Sequence, residues 1–594
     1  MQTAPERVEA WRDAVRAAER RGELLEAVDV AERALTDHPD DVWLRHRAVL
    51  ALARAGSTAE AERRYDEYGL GDVHGEDAEA LRARIAKDAA LLEHGAARRE
   101  LAARAAGLYG DVFERTGGHY PGVNAATMWL VAGDHATSRA LAGRVLAALR
   151  RTGDDSYYAA ASEAEAQLLL GRIGAAGDAL ERAVERDDGD HAAVASTRRQ
   201  LRLVCQALGV DDSVLTVIAG PSVAHYCGHR IAAAGATGRL PAEAEASVAE
   251  QIAAEVAREP VAYAYGSLAS GADILWAEAL RRNGADLHVV LPFSADEFVR
   301  TSVADSGPGW EARFERCLES AAAVSYATED AYLGDDVLYR YAADLAMGLA
   351  LLRARFLDAD VRQLAVWDGM APSGPAGTAA DVAAWTAHGH RTSIVRPPAT
   401  PAVAVASAER EAAGGRVVRG MLFGDIKGFS KLTDEQLPAF TEHVLGTFAS
   451  VLERHRDAVC FRNTWGDGLY VVLADAVSAA ACAADLQEAM AGADLERHAL
   501  PGHLALRLGA HVGPVFPVHD PVIAATAFMG SHISRTARIE PVTPPGTVYV
   551  TEQFAAALEI AGSGLRCDYV GHMPAAKDFG RLRMYRLYRP PATA

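Results

Sequence analysis

Two aspartates, each beside a glycine at the end of an apolar run, open a chemical reading of this 594-residue chain. Asp425 closes the run in MLFGDIKGFS (421–430), where Gly428 permits a turn and a helix is expected to start, capped by Ser430 or Thr433. Asp467 sits in the Gly466-Asp467-Gly468 turn of AVCFRNTWGDGLYVVLAD (458–475), whose alternation predicts a β-hairpin. A carboxylate at the end of a core strand calls for positive charge. Two of them at adjacent strand ends suit divalent cations that take few protein ligands and fill their shell with substrate phosphates. Such ions activate an attacking oxygen and neutralise a leaving one. Either aspartate alone is as readily a turn residue; the order strand, turn, helix, hairpin is what points to a site.

A second constellation lies upstream. In YGSLASGADILWAEAL (265–280), Gly266, Ser267, Gly271 and Asp273 fall between an expected strand and helix. Glycines there let backbone N–H groups approach a phosphate or ribose at a helix N-terminus. Asp273 serves equally as a helix-capping residue, and tight packing also needs glycine.

The elements that must hold these residues fall into three textures. Residues 1–210 read as helix after helix, with Ala and Leu at helical spacing and breaks at RGE and DHPDD. From 214 to 397, apolar runs alternate with helical patterns, starting with VLTVIAG (214–220) as a strand, which implies a parallel sheet with helices on both faces. Residues 398–415 form a Pro/Ala-rich linker, and 416–594 mix strands with helices. The expected fold class is therefore multidomain: all-α helical repeats, an α/β Rossmann-like sheet, then an α+β domain.

Half the residues are apolar and 24% charged, which excludes a disordered chain. The formal net charge of −20 argues against nucleic-acid or membrane-surface partners. Six cysteines without CxxC spacing, a charged N-terminal stretch and no long apolar run lead to the expectation of a cytoplasmic protein with free thiols.

Three resemblances sharpen these expectations. The helical units resemble tetratricopeptide repeats, and GGHYPGVNAATMWLVAGDHATSRALAGRVL (117–146) resembles the TRAF-binding-type region of stress-activated kinase kinases; both imply a scaffold with a protein partner. Residues 214–397 resemble the SLOG superfamily of Rossmann-like domains, with Gly220, Gly266, Gly271, Ala272, Asp273 and Glu278 at matching positions beside Ser267. The PGGxGTxxE motif of its hydrolytic relatives is missing, so the resemblance implies sensing of a nucleotide-like ligand rather than catalysis.

Residues 416–590 resemble the class III nucleotidyl cyclase catalytic domain, an α+β ferredoxin-like fold. FGDIKGFS and NTWGDGLYVV match its metal motifs, and LRLGAHVGPVF, AFMGSHISRTARIE, PPGTVYVTEQFAAAL and AAKDFGRLRMYRLYR match its later segments. The resemblance implies Asp425, Asp467 and the Ile426 carbonyl as ligands of two Mg²⁺ or Mn²⁺ ions. It implies Arg538 and Ser534 at the transition state, Lys577 on the triphosphate, and Asn463, Ala527, Gly428 and Phe429 around the substrate. Asn463 and Ala527 stand where adenylate cyclases carry base-reading Lys and Asp or Thr, and Ser534 stands for an asparagine. The base therefore does not follow from the family rule. With one such domain per chain, a homodimer is implied. The resemblance leads to the expectation of a regulated cyclase acting on a nucleoside triphosphate, ATP by default, with GTP or a pyrimidine nucleotide as alternatives. A weakly catalytic nucleotide-binding scaffold is the competing reading, and a nucleotide-processing middle domain a third.

Overall fold

The computed structural model describes residues 4–233, 238–372, 374–398, 415–577 and 579–590. The expected linker, apart from Pro398 and Gly415, lies outside the described residues.

Eleven α-helices, from Ala4–Arg20 to His191–Leu208, fill the N-terminal region of the described residues. The polar breaks between them work as caps: Asp41, Asp134 and Asp190 accept hydrogen bonds from the backbone N–H three residues on. Small residues let the helices approach, and Ala27, Ala31, Ala48 and Ala61 are fully or almost fully buried.

Six parallel strands follow: β1 (Ser222–Gly228), β2 (Tyr263–Gly266), β3 (Asp286–Leu291), β4 (Ala323–Tyr326), β5 (Asp360–Val366) and β6 (Thr392–Val395). Their order is β4-β3-β2-β1-β5-β6, so the chain reverses direction across the sheet between β1 and β5, where such folds open a crevice at the strands' carboxyl ends. The first strand is not VLTVIAG. Val214, Leu215 and Ile218 instead join the helical region's core around a 3₁₀ turn at Ser213–Thr216, and β1 begins after Pro221. An apolar run of that length does not say which of two adjoining cores it will enter.

The C-terminal sheet contains β7 (Val417–Lys427), β8 (Val459–Trp465), β9 (Gly468–Leu473), β10 (Ala505–Asp520), β11 (Ala525–Met529), β12 (Val548–Thr551), β13 (Arg566–Pro574) and β14 (Arg581–Tyr588). Its order is β13-β14-β12-β10-β7-β9-β8, with β11 folded back on the far end of β10. Strand periodicity sorts β7 into two faces. Leu422 and Ile426 join the core that holds Ala479 and Ala483 of helix Ala476–Ala491, whereas Met421 and Phe423 pack with Tyr470, Phe528 and Ile533. Asp425 belongs to the second face by its parity.

The three regions pack together around helix Val337–Leu357. It lies on β1 to β3 and crosses helix Glu552–Ala561 of the C-terminal sheet so closely that a Cβ on Gly348 would collide with the Ala556 carbonyl. Its Arg353 reaches the Gly22 carbonyl (3.1 Å), Glu23 (2.5 Å) and the Tyr265 hydroxyl (3.0 Å). Arg583 ties β14 to Glu26 (3.1 Å) and Asp29 (3.2 Å) of the helical region.

Candidate active site

Asp425 and Asp467 are brought together. The β8–β9 hairpin turns at Gly466-Asp467 and pairs with β7 up to Gly424, which sets its tip beside Asp425. Burial raises the Asp467 carboxyl above its ordinary value, and the charge of Asp425 next to it raises it further. Strand β7 runs on to Lys427, so Asp425 lies within the strand's last turn of pairing with β10 rather than after it.

A residue the sequence reading did not single out completes this corner. Arg507 stands opposite Asp425 in the β7–β10 register and donates to its Oδ2 from Nη2 (2.6 Å) and Nε (3.1 Å). The same guanidinium lies 2.5 Å from Glu540, whose acid is raised by burial and by the charges of Asp425 and Asp467, against the opposing pull of Arg507. Two carboxyl groups, those of Asp425 and Glu540, thus meet one arginine, with Asp467 beside Asp425. The cross-strand pairing would have signalled Arg507, but register is set by tertiary fit and cannot be read along one strand.

The donor set fits a divalent cation shared with substrate. Two carboxylates repel each other at one spot, with a single guanidinium as counter-ion. Among the described residues no group of three or more His, Cys, Asp or Glu is disposed to hold an ion by itself. A cation there would draw further oxygens from a ligand, as Mg²⁺ does with phosphates. Ile426 is buried opposite Leu506, beyond the last β7–β9 pair. Gly428, at φ 95°, turns the chain into a 3₁₀ segment, Phe429–Lys431. Phe429 packs on Phe440 (4.9 Å between rings) and lies against Gly466, bracing the two acidic loops. The helix expected directly after the turn starts only at Leu437 and has no side-chain cap, so neither Ser430 nor Thr433 caps it; ahead of it Gln436 Oε1 accepts from the Thr433 N–H (3.1 Å).

The cationic groups form a second cluster. Helix Ser531–Ile539 lies on β10, where a Cβ on Gly509 would meet the Glu540 backbone and one on Gly513 would meet the His532 ring. Arg538 occupies its last turn, with Nε buried and unpartnered. The Arg538 carbonyl accepts from the Ala576 N–H (3.1 Å), pinning beside it the β13–β14 connection that carries exposed Lys577. Ser534 is exposed on the same helix. Asn463 is exposed on edge strand β8, its Oδ1 accepting from the Thr464 N–H (2.9 Å). It borders a cleft of about 530 Å³ between β8 and the β10–β11 hairpin, with Arg462 and Thr526. Ala527 is 7% exposed, in register with Val518 of β10, and does not line that cleft.

In the middle sheet the expected ligand residues divide. Gly266, Ser267, Gly271 and Asp273 gather at the carboxyl end of β2. Ser267 Oγ and Asp273 Oδ1 are buried without partners, while Asp273 Oδ2 accepts from the Ala269 N–H (3.2 Å). Burial pushes the Asp273 carboxyl up to about 7. Gly220 does not join them. It precedes β1, at the opposite sheet edge, against Arg198 and the Asp358 carbonyl. Glu278 is also elsewhere, near the middle of helix Ala272–Arg282, where Arg313 engages both its oxygens at 2.8 Å. A shared motif says nothing about which edge of a parallel sheet a loop occupies, and for Glu278 the arginine partner comes from a distant helix.

Comparison with known proteins agrees with this layout. Residues 417–588 match the family model described as adenylate and guanylate cyclase catalytic domain, and residues 23–129 match tetratricopeptide repeats-sensor. A Rhizobium meliloti (strain 1021) protein named "Putative adenylate cyclase 3" is 32% identical over 143 residues, spanning 23% of this chain and 22% of that relative. Among solved structures, the adenylyl cyclase CyaB from P. aeruginosa is 16% identical over 29% of this chain and 94% of that one, with a TM-score of 0.26. The guanylate cyclase domain of RhGC from Catenaria anguillulae, in complex with GTP, is 16% identical over 29% and 97%, also at 0.26. The chain thus carries a class III adenylate and guanylate cyclase catalytic domain at its C-terminus, behind an N-terminal repeat segment of the tetratricopeptide repeats-sensor family.

Proposed function

We propose that the protein closes a nucleoside triphosphate, ATP by default, into a 3′,5′-cyclic monophosphate with release of pyrophosphate. The observation that carries this reading is the meeting of Asp425 and Asp467 at one strand end, short of positive charge. A divalent cation bound there, Mg²⁺ or Mn²⁺ and two per site by the family pattern, would supply Lewis-acid activation of the 3′-hydroxyl and charge neutralisation at the phosphates. The 3′-oxygen attacks the α-phosphorus and loses its proton to solvent, while the bond to the β-phosphate oxygen breaks. Arg538, with an unspent Nε donor, meets charge growing on the α-phosphate, and Lys577 holds the leaving pyrophosphate. Ser534 orients the ribose. Asn463 offers both a donor and an acceptor to the base, so GTP and pyrimidine nucleotides compete with ATP.

Each complete site joins two copies of the chain, one giving the aspartates and the other Arg538 and Lys577. Lys577 follows β13 at one end of the sheet order, whereas Asp467 precedes β9 near the other. Exposed apolar side chains at Trp465, Val522, Ile523 and Met529 flank the cleft and suit burial against a second copy.

Regulation enters through the middle sheet, read as a SLOG-type sensor of a nucleotide-derived ligand at Gly266, Ser267, Gly271 and Asp273. The segment after β4 grips the helix bearing Arg538: Ser531 Oγ donates to Asp330 (2.8 Å), and His532 Nε2 lies 3.2 Å from Thr328 Oγ1. A shift at the sheet's carboxyl edge would move that helix.

The test is a product screen. Purified protein is incubated with ATP, GTP, CTP and UTP under Mg²⁺ or Mn²⁺, and the products are read by mass. A cyclic monophosphate with equimolar pyrophosphate is expected; binding of nucleotide without either product in every mixture would replace the enzyme with a nucleotide-binding scaffold.

A further inference from the structure

A cavity of about 1020 Å³ opens in the helical region between helices Val42–Arg54, Glu76–Leu92 and His191–Leu208. Its rim is exposed at Val42, Leu92 and Tyr158, and its floor is cationic. Arg54 and Lys87 are 8% and 6% exposed, and Arg84 and Arg199 stand beside them. The Nε atoms of Arg54 and Arg84 are buried with no hydrogen-bond partner. Lys87 Nζ donates to the neutral amides of Asn124 and Gln200, each at 3.0 Å, and Arg199 donates to the backbone carbonyls of Ala195 (3.4 Å) and Arg54 (3.0 Å).

The acids on the inner wall offset these charges only in part. Asp88, 3.5 Å from Arg84 Nε, together with the Tyr120 and Tyr109 phenols holds the Arg84 guanidinium above its ordinary value against burial, although its Oδ2 makes no hydrogen bond. Glu165 is held by Gln200 (2.7 Å) and Thr127 (2.5 Å), and burial raises its carboxyl towards the neutral form. Glu76 and Asp77 stay at the rim. Three groups of the wall respond to the remaining positive charge. Burial, with Arg84 adding to it, lowers Lys87 and brings Arg199 down to about 10. Burial alone would raise the Tyr120 phenol, yet Arg84 and Lys87 bring it below its ordinary value. Uncompensated buried charge is costly, and a cavity of this size accommodates a small organic molecule. Guanidinium forks with free N–H groups match phosphate oxygens.

We propose that this cavity binds a phosphate-bearing small molecule through Arg54, Arg84, Lys87 and Arg199. The bound anion supplies the missing counter-charge, and its organic part lies towards Tyr158 and Leu92 at the rim. The site is separate from the catalytic cleft and from the middle-sheet edge. Its wall helix His191–Leu208 also holds Asp358, at the end of helix Val337–Leu357, through Arg198 and Arg202.

Isothermal titration of the full chain with inorganic pyrophosphate and, separately, adenosine monophosphate, both in EDTA, tests the site. Arg84→Gln removes a cation, Ser196→Asp adds a carboxylate to the cavity wall, and Lys577→Ala controls for binding at the catalytic domain. Saturable binding of either probe, weakened about 10-fold or more by Arg84→Gln and by Ser196→Asp but not by Lys577→Ala, is the expected result. Tighter adenosine monophosphate would identify a phosphate ester as the ligand, and equal affinities a bare phosphate group. Where circular dichroism shows Arg84→Gln unfolded, Ser196→Asp decides alone. No saturable binding of either probe, equal binding in all variants, or loss only in Lys577→Ala would overturn the proposal.

Discussion

The acidic corner of the C-terminal sheet and the glycine turn of the middle sheet begin from similar sequence, a strand running into glycines and an aspartate, and fold into opposite surroundings. At the first, Asp425 and Asp467 converge with a guanidinium between them and Glu540, and the hairpin tip leaves them reachable. At the second, Gly271 is hemmed in by backbone and Asp273 is almost wholly buried. Glu278, further along the same helix, is taken by Arg313. The difference teaches that a carboxylate marks a cation site when its negative neighbours outnumber its positive ones. A glycine marks close packing as readily as ligand approach.

Breaking the acidic corner should give the largest effect. Asp425→Asn or Asp467→Asn should lower cyclase turnover by about 10³-fold or more, with the circular dichroism spectrum unchanged, because each removes a charge from the cation's donor set. Glu278→Gln, which loses only an ion pair to Arg313, should change turnover less than about 2-fold in the same assay. Equal losses in the two regions would erase the distinction between them.

The packing half of the comparison is checked by thermal unfolding. Gly271 has φ 103°, and a Cβ there would meet the Ile231 N–H and the His229 carbonyl. Gly271→Ala should therefore cost about 3 kcal/mol, from left-handed strain plus overpacking. Gly428, at φ 95°, faces only side chains of Leu504 and His503 at 3.1–3.3 Å, so Gly428→Ala should cost about 1–2 kcal/mol.

Burial of Asp273 gives a pH signature. Its folded value of about 7 lies above the 3.8 of an ordinary aspartate, so the folded chain holds this proton longer than the unfolded one. The stability it contributes is fully present below pH ~4 and falls as pH rises through ~7, by on the order of 4 kcal/mol. Asp273→Asn should flatten that part of the stability–pH curve, measured by denaturant unfolding between pH 4 and 9. A further prediction concerns the base. Asn463→Lys should move substrate preference towards ATP by about 10-fold, or 1.4 kcal/mol, in competition between ATP and GTP.

Much of the acidic corner was legible along the chain because it is local. MLFGDIKGFS and GDG each hold their own turn chemistry, and a hairpin brings its own two strands together. The order of helical region, parallel sheet and mixed sheet followed from periodicity in the same way. Arg507 and Glu540 were not legible, since they depend on how β10 registers with β7 and where helix Ser531–Ile539 ends against it. Gly220 and Val214–Ile218 were misplaced for a related reason: an apolar run and a glycine specify burial and turning, but not which of two neighbouring cores or sheet edges receives them. The cationic cavity was invisible too, because Arg54, Arg84, Lys87 and Arg199 come from three helices.

Complementation between two inactive variants tests the central claim most directly, that the aspartates of one copy work with Arg538 of another. Asp425→Asn and Arg538→Ala proteins are each assayed alone and then mixed under conditions that allow subunit exchange. Half of the dimers formed would be mixed, each with one intact site of two, so about a quarter of wild-type cyclase activity should return. A mixture no more active than either parent, with exchange verified by differently tagged chains, would contradict a site shared across two copies.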